Sequence, residues 1–216
     1  MSILLVAATA AEIQPTLDAL SRYGNEVRSL LTGIGTVPTT FHLTRHLTEQ
    51  SPFRLVIQAG ICGAYDKTLA LGEVVHIIRD RFVAQGAEDR DGTWLSQTDI
   101  GFPPAEPFDT GGWLTSDPPP GLRLPQREVV GGTVDRSTGA ATSIDRVLRH
   151  YPELQTESME GAAFHYVCRR VQVPFVQLRS VSNYVEPRDR GKWQIGPAIH
   201  QLNASLRNVI EAALNS

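Results

Sequence analysis

The chain alternates short, wholly apolar runs with segments whose apolar residues recur every three or four positions. Residues 3–8 form an unbroken apolar run, as expected of a strand covered on both faces. Thr9-Ala10-Ala11-Glu12 then places a hydroxyl three positions before a carboxylate. That spacing reads as a capping box opening a helix with Ile13, Leu17 and Leu20 on one side. Residues 28–31 predict a second strand, closed by Gly33-Ile34-Gly35, and a helix follows over about 37–49. Leu55-Val56-Ile57 predicts a buried third strand running into a small-residue turn, Gly60-Ile61-Cys62-Gly63-Ala64. A Val- and Ile-rich strand is expected over 73–78.

Residues 84–127 break this rhythm. They are rich in proline and glycine, including Pro103-Pro104 and Pro118-Pro119-Pro120, and predict loops with short strands. This stretch reads as an excursion within one domain, since neither half would otherwise complete a sheet. Val129-Val130 resumes the sheet; helices are expected near 142–150 and 159–170, and a strand over 175–180. The final helix carries Ile195, Ile199, Leu202, Leu206, Val209, Ile210 and Leu214 as an apolar stripe. Strands alternating with helices predict an α/β fold: one domain over 1–216, with a central mixed β-sheet flanked by helices.

Composition narrows the function classes. At 216 residues, 41% hydrophobic and 20% charged, the chain has an ordinary globular balance. A net charge of −3 offers no pull toward nucleic acid or an anionic membrane. The six histidines follow no metal-ligand spacing. Two cysteines, Cys62 and Cys168, allow one bridge on paper but no disulfide framework, and buried fillers are the simpler reading. The first residues read as a strand rather than a leader peptide, and no stretch approaches the length of a membrane span. A cytoplasmic protein without metal or cofactor is therefore expected.

Polar groups stand out at three strand ends, where open α/β sheets bind ligands. They are Glu12; the turn at Gly60, Ile61, Cys62 and Gly63; and the pair of segments Glu157-Ser158-Met159-Glu160-Gly161-Ala162-Ala163 and Arg179-Ser180-Val181-Ser182-Asn183-Tyr184. Each has a structural reading too. Glu12 fits a capping box, Glu157 and Glu160 fit a helix dipole, and Asn183 fits a turn. Gly33-Ile34-Gly35 lacks the third glycine of a dinucleotide fingerprint, because Pro38 stands there.

Taken together, their order resembles the purine nucleoside phosphorylase and nucleosidase superfamily over most of the chain. Glu12 matches the family's first-strand glutamate, and Gly60 to Ala64 its Gly-rich turn, although Ile61-Cys62 replaces smaller residues. Met159-Glu160-Gly161-Ala162-Ala163 matches its Met-Glu pair, and Ser182-Asn183 its Ser-Asp or Ser-Asn. Within that superfamily, the stretch Ser182 to Trp193 is similar to futalosine hydrolases. The resemblance implies hydrolysis of an N-glycosidic bond by water, in the futalosine route to menaquinone, by a homodimer or larger homo-oligomer.

Such a reaction passes through an oxocarbenium-like ribosyl cation, so it needs negative charge near the sugar and a positioned water. Glu160 suits the ribose hydroxyls with Met159 against the sugar, and Glu12 suits activation of water. Asn183 can donate its amide NH₂ to a 6-oxopurine, where an aspartate would favour adenine. The resemblance implies that Trp193 packs against the ligand, with core packing as the other reading, and Arg188, Arg190 and Lys192 are candidate partners for a benzoate at the 5′ end. Residues 8–13 carry no glycine or basic residue for a phosphate cradle, which disfavours a phosphorylase. A methylthioadenosine-type nucleosidase and a non-catalytic nucleoside-binding module also compete with the hydrolase.

Overall fold

A computed structural model describes residues 1–50, 52–83 and 85–215. The first strand, β1 (Ser2–Ala7), lies between β2 (Val27–Leu31) and β3 (Phe53–Ala64), parallel to both. The reason for its unbroken apolar run is visible in the packing. Ile3, Leu5 and Ala7 face one core together with Leu55, Ile57, Val176 and Leu178. Leu4 and Val6 face another with Val56, Phe164, Val167 and Phe175. Alternate side chains of a strand leave by opposite faces, and here both faces are covered.

Helix α1 (Ala10–Leu17) opens at Thr9 with the expected capping box. It packs on the first core beside the last helix, α5 (Ile195–Leu214), whose Leu202, Leu206, Val209 and Ile210 are buried there. Truncating one of these, such as Leu206→Ala, should cost about 2–5 kcal/mol. On the opposite face, α2 (Thr36–Glu49) contributes Leu43, and α4 (Gly161–Val171) contributes Phe164, Val167 and Cys168.

The sheet continues through β4 (Val74–Asp80) and β8 (Arg127–Thr133). Between them, β5 (Gly86–Glu88) and β6 (Trp94–Ser96) form a separate antiparallel hairpin, and β7 (Leu114–Thr115) pairs with β4. The proline-rich stretch is thus an excursion that returns to the same sheet. After α3 (Ala141–His150), a three-residue strand β9 (Thr156–Ser158) joins β8 to the end of β3. The last strand, β10 (Phe175–Tyr184), pairs with β4 on one side and β3 on the other. The strands β3, β10, β4, β8 and β9 therefore close on themselves, and β1 and β2 extend the sheet beyond β3.

That closure corrects two expectations. Gly60 to Ala64 is not a turn: β10 runs alongside β3 as far as the Ala64–Tyr184 pair, so the ladder keeps these residues extended. The segment beginning at Met159 is not yet helix; Glu160 is the N-cap and Glu157 sits in β9. Both cysteines are buried and unbridged, and burial pushes the Cys62 thiol up to about 12. No helix among the described residues is long and apolar enough to cross a membrane.

Candidate active site

Glu12 leaves the first turn of α1 half-buried, and its carboxylate has three donors. Oε2 accepts from the Thr9 amide at 3.1 Å and the Thr9 hydroxyl at 3.0 Å, while Oε1 accepts from the Ile61 amide at 3.1 Å. It is a helix cap, and it is also tied across to β3. The two readings of this residue are not exclusive.

Gly60, beside Ile61, explains why the chain is so spare here. A Cβ at this position would fall 2.4 Å from Arg179 Nη1 and 2.9 Å from Glu12 Oε1. Glycine lets a carboxylate from α1 and a guanidinium from β10 approach the same patch of backbone.

Arg179 is almost completely buried. Its Nη1 donates to Glu160 Oε2 at 3.3 Å and to the Ile61 carbonyl at 3.4 Å. Its Nη2 is buried with no hydrogen-bond partner among the described residues. Glu160 Oε1 accepts from the Gly35 amide at 3.1 Å. Gly35 caps α2 with φ of 97°, a conformation that favours glycine, so the Gly33-Ile34-Gly35 turn does more than reverse the chain. Glu12, Ile61, Arg179, Glu160 and Gly35 thus form one knot drawn from five segments. Met159, half-buried, precedes Glu160 at this N-cap.

Along the paired strands β3 and β10, Arg179 sits opposite Gly60 and Asn183 opposite Gly63. At about 3.3 Å per residue the two stations lie about 10 Å apart. At the second, the Ser182 hydroxyl is buried between the Cys62 carbonyl at 3.1 Å and Asn183 Oδ1 at 2.8 Å. Asn183 Nδ2 donates to the Tyr184 carbonyl at 3.0 Å. The other Nδ2 hydrogen of Asn183 has no acceptor among the described residues.

Asn183 lines a cleft of about 210 Å³ with Leu71, Thr138, Arg188, Lys192 and Trp193. Thr138 is held there by the buried Glu157, whose Oε1 accepts its amide at 2.8 Å and whose Oε2 accepts its hydroxyl. The Tyr65 hydroxyl donates to the same Oε2 at 2.5 Å, and its burial pushes that phenol upward.

The basic residues behave differently from one another. Arg188 donates to the Ser137 hydroxyl at 3.2 Å and lies 4.9 Å over the Trp193 ring. Lys192 pairs with Glu186 at 3.3 Å. Arg190 is exposed, 5.9 Å from the Trp193 ring, and is not among the residues lining the cleft. No group of three His, Cys, Asp or Glu side chains among the described residues could hold a metal.

Arg179 is the residue that sequence reasoning passed over as part of a segment. A charged residue inside a strand buried on both faces was the available signal, because an unpaired charge there is prohibitively costly. Asp80, at the end of β4, was also missed. It is fully buried, and burial pushes it up to about 6 despite bonds from the Thr133 hydroxyl at 2.9 Å and the Arg81 amide at 2.8 Å.

Comparison with known proteins identifies the family. A curated futalosine hydrolase of Streptomyces coelicolor is 35% identical over 159 residues, which is 70% of this chain and 63% of that protein. This chain therefore spans less than two thirds of that relative. A futalosine hydrolase of Acidothermus cellulolyticus is 29% identical over 202 residues, covering 89% of this chain and 78% of its own. Among solved structures, a 5′-methylthioadenosine/S-adenosylhomocysteine nucleosidase from Colwellia psychrerythraea, in complex with adenine, superposes with a TM-score of 0.81. It is 16% identical, and the match covers 98% of this chain and 95% of that one, a likeness of fold. The sequence model of the phosphorylase superfamily matches residues 19–215, and the chain belongs to that superfamily.

Proposed function

We propose that the chain is a futalosine hydrolase, cleaving the bond between the ribose C1′ and the hypoxanthine nitrogen with water. In that reaction the C1′–N bond breaks with its electron pair going to the base. A water oxygen bonds to C1′, one water proton passes to Glu12, and a proton exchanged through solvent reaches the departing base, which leaves neutral hypoxanthine and restores the Glu12 carboxylate. The products are hypoxanthine and dehypoxanthine futalosine, a step toward menaquinone.

The observation that carries this reading is the knot of Glu12, Arg179 and Glu160 around Gly60 and Ile61. It places two carboxylates and one guanidinium, whose Nη2 has no protein partner among the described residues, around a single point. Such a point suits a water between a general base and a sugar whose charge is developing. Glu160 takes the ribose hydroxyls, with Met159 against the sugar. The loop after β1, Ala8-Thr9, offers no basic side chain to a phosphate.

At the other station, the uncommitted amide hydrogen of Asn183 faces the base. Ser182 keeps Oδ1 as the bonded acceptor, so Nδ2 is the group left for a 6-oxo oxygen. Thr138 and Trp193 wall the base, and Arg188 closes over Trp193. The similarity to two futalosine hydrolases supports the same substrate.

We place the enzyme in the cytoplasm as a homodimer or higher homo-oligomer. Ile34, Val37 and Phe41 are 59%, 77% and 57% exposed at the start of α2. Single exposed apolar residues are ordinary, whereas a cluster marks an interaction surface.

The test is to offer purified protein futalosine in competition with its 6-amino counterpart and identify the bases released. Futalosine should be cleaved with the higher kcat/KM. A preference for the 6-amino nucleoside would move the chain to the adenine-releasing nucleosidases.

A further inference from the structure

Behind Arg179 lies a chain of hydrogen bonds among buried side chains. His165, on α4, is fully buried, and its Nδ1 sits 2.7 Å from the Leu114 carbonyl. A carbonyl only accepts, so Nδ1 carries the hydrogen. Burial pushes this histidine down to about 3, so the ring is neutral and its Nε2 is an acceptor. Gln177, on β10, faces that Nε2 at 2.7 Å, Asp80 Oδ2 at 3.2 Å and Arg179 Nε at 3.1 Å. Two of these neighbours accept and one donates. Only one amide orientation satisfies all three: the NH₂ donates to His165 and Asp80, and Oε1 accepts from Arg179 Nε.

Asp80 is fixed in its turn. Its Oδ1 accepts from Thr133 and the Arg81 amide, and Thr133 Oγ1 accepts from the Ala162 amide at 2.7 Å. Space is as closely set as polarity. A Cβ on Gly161 would collide with both Asp80 Oδ2 and the Gln177 side-chain amide. The glycine that follows Met159-Glu160 is what admits this pair.

We propose that Gln177, held in one amide orientation by His165 and Asp80, is a positioning residue that sets the plane of the Arg179 guanidinium. The inference rests on the hydrolase reading of the Glu12–Arg179–Glu160 knot. A guanidinium is flat and its donors form a rigid fork, so fixing Nε fixes where Nη1 and Nη2 stand. Nη1 meets Glu160 Oε2 and the Ile61 carbonyl, and through them it sets where the Glu160 carboxylate stands. Without Gln177 the plane can turn, and Glu160 is no longer held in the place from which it faces the sugar.

The test exploits a one-atom change. Asp80→Asn keeps the acceptor for Thr133 and Arg81 but turns the group facing Gln177 into a donor. The Gln177 NH₂ then faces a donor, and that clash drives the amide away from the position in which its Oε1 holds Arg179 Nε. With futalosine as substrate, kcat should fall roughly 10²-fold, the scale of a misplaced reacting group. KM should change little, and the circular dichroism spectrum should be retained. The paired swap Asp80→Asn with Gln177→Glu removes the donor clash and keeps an acceptor toward Arg179 Nε, with His165 protonated so that its Nε2 donates to the new carboxylate, and should recover most of the lost kcat.

A folded Asp80→Asn protein with wild-type kcat, or a swap no better than the single variant, overturns the positioning role while leaving the hydrolase reading intact. Wild-type protein inactive on futalosine, inosine and methylthioadenosine overturns both. If Asp80→Asn is insoluble, Gln177→Met decides instead. Its loss of kcat should vanish in an Arg179→Met background, and an undiminished loss there contradicts the proposal.

Discussion

Glu160 and Arg179 form an ion pair, 3.3 Å between Oε2 and Nη1, whose side chains are only 7% and 2% exposed. Removing one partner of such a pair strands the other in a medium that cannot solvate it. Arg179→Met should therefore destabilise the fold by about 3–5 kcal/mol. Urea denaturation measures this directly, and a loss below about 1 kcal/mol would mean that water reaches Glu160 freely.

Glu12 is tied to Thr9 and Ile61, so its removal separates cap from chemistry. Glu12→Gln keeps an oxygen for one donor and loses the base. Turnover should fall by about 10²-fold or more, with ligand affinity nearly unchanged. Glu160→Gln should raise KM as well as lower kcat, since the sugar is held before and during reaction. Steady-state kinetics on both variants checks the division of labour. A Glu12→Gln protein with full activity and a lowered melting temperature would reduce Glu12 to a cap.

Ser182 orients the Asn183 amide through its hydroxyl. Ser182→Ala removes the donor that holds Oδ1, so the amide can rotate and offer oxygen to a 6-amino group. The kcat/KM ratio for futalosine over its 6-amino counterpart should shrink in this variant, by up to about 10-fold for one neutral hydrogen bond. An unchanged ratio would show that Tyr184 alone sets the amide.

Two buried histidines make the fold acid-sensitive. Burial holds His76 down at about 4 and His165 down at about 3, against an ordinary 6.5. Their folded values are depressed, so the stability they confer is complete above pH 6.5 and is lost as pH falls toward those values. Asp80, raised from 3.8 to about 6, acts oppositely and offsets part of the loss between those limits. The melting temperature should decline from pH 7 to pH 4.5, and more gently in His76→Leu. A parallel decline in both proteins would contradict the assignment to His76.

Much of this architecture was legible because it is local. The apolar run of β1, the capping box at Thr9 and Glu12 and the stripe of α5 announce themselves within a few residues. The ends of β3 and β10 were not legible, since Gly60 to Ala64 is extended through pairing with β10 and β9, strands some ninety residues or more away in the chain. Strand β9 is three residues of Thr, Glu and Ser, with no apolar alternation to betray it. At the site, Glu12, Glu160 and Asn183 could be picked out by motif. Arg179, Gln177 and Asp80 could not, because what distinguishes them is that they meet one another inside the protein.

In the proposed reaction water, and not phosphate, opens the glycosidic bond of futalosine. The decisive measurement follows hypoxanthine release in ¹⁸O-labelled water, with and without added phosphate, and weighs the sugar product by mass spectrometry. The predicted result is a rate independent of phosphate and one heavy oxygen on the C1 hydroxyl of the sugar. Release that requires phosphate and yields an unlabelled sugar 1-phosphate would contradict it.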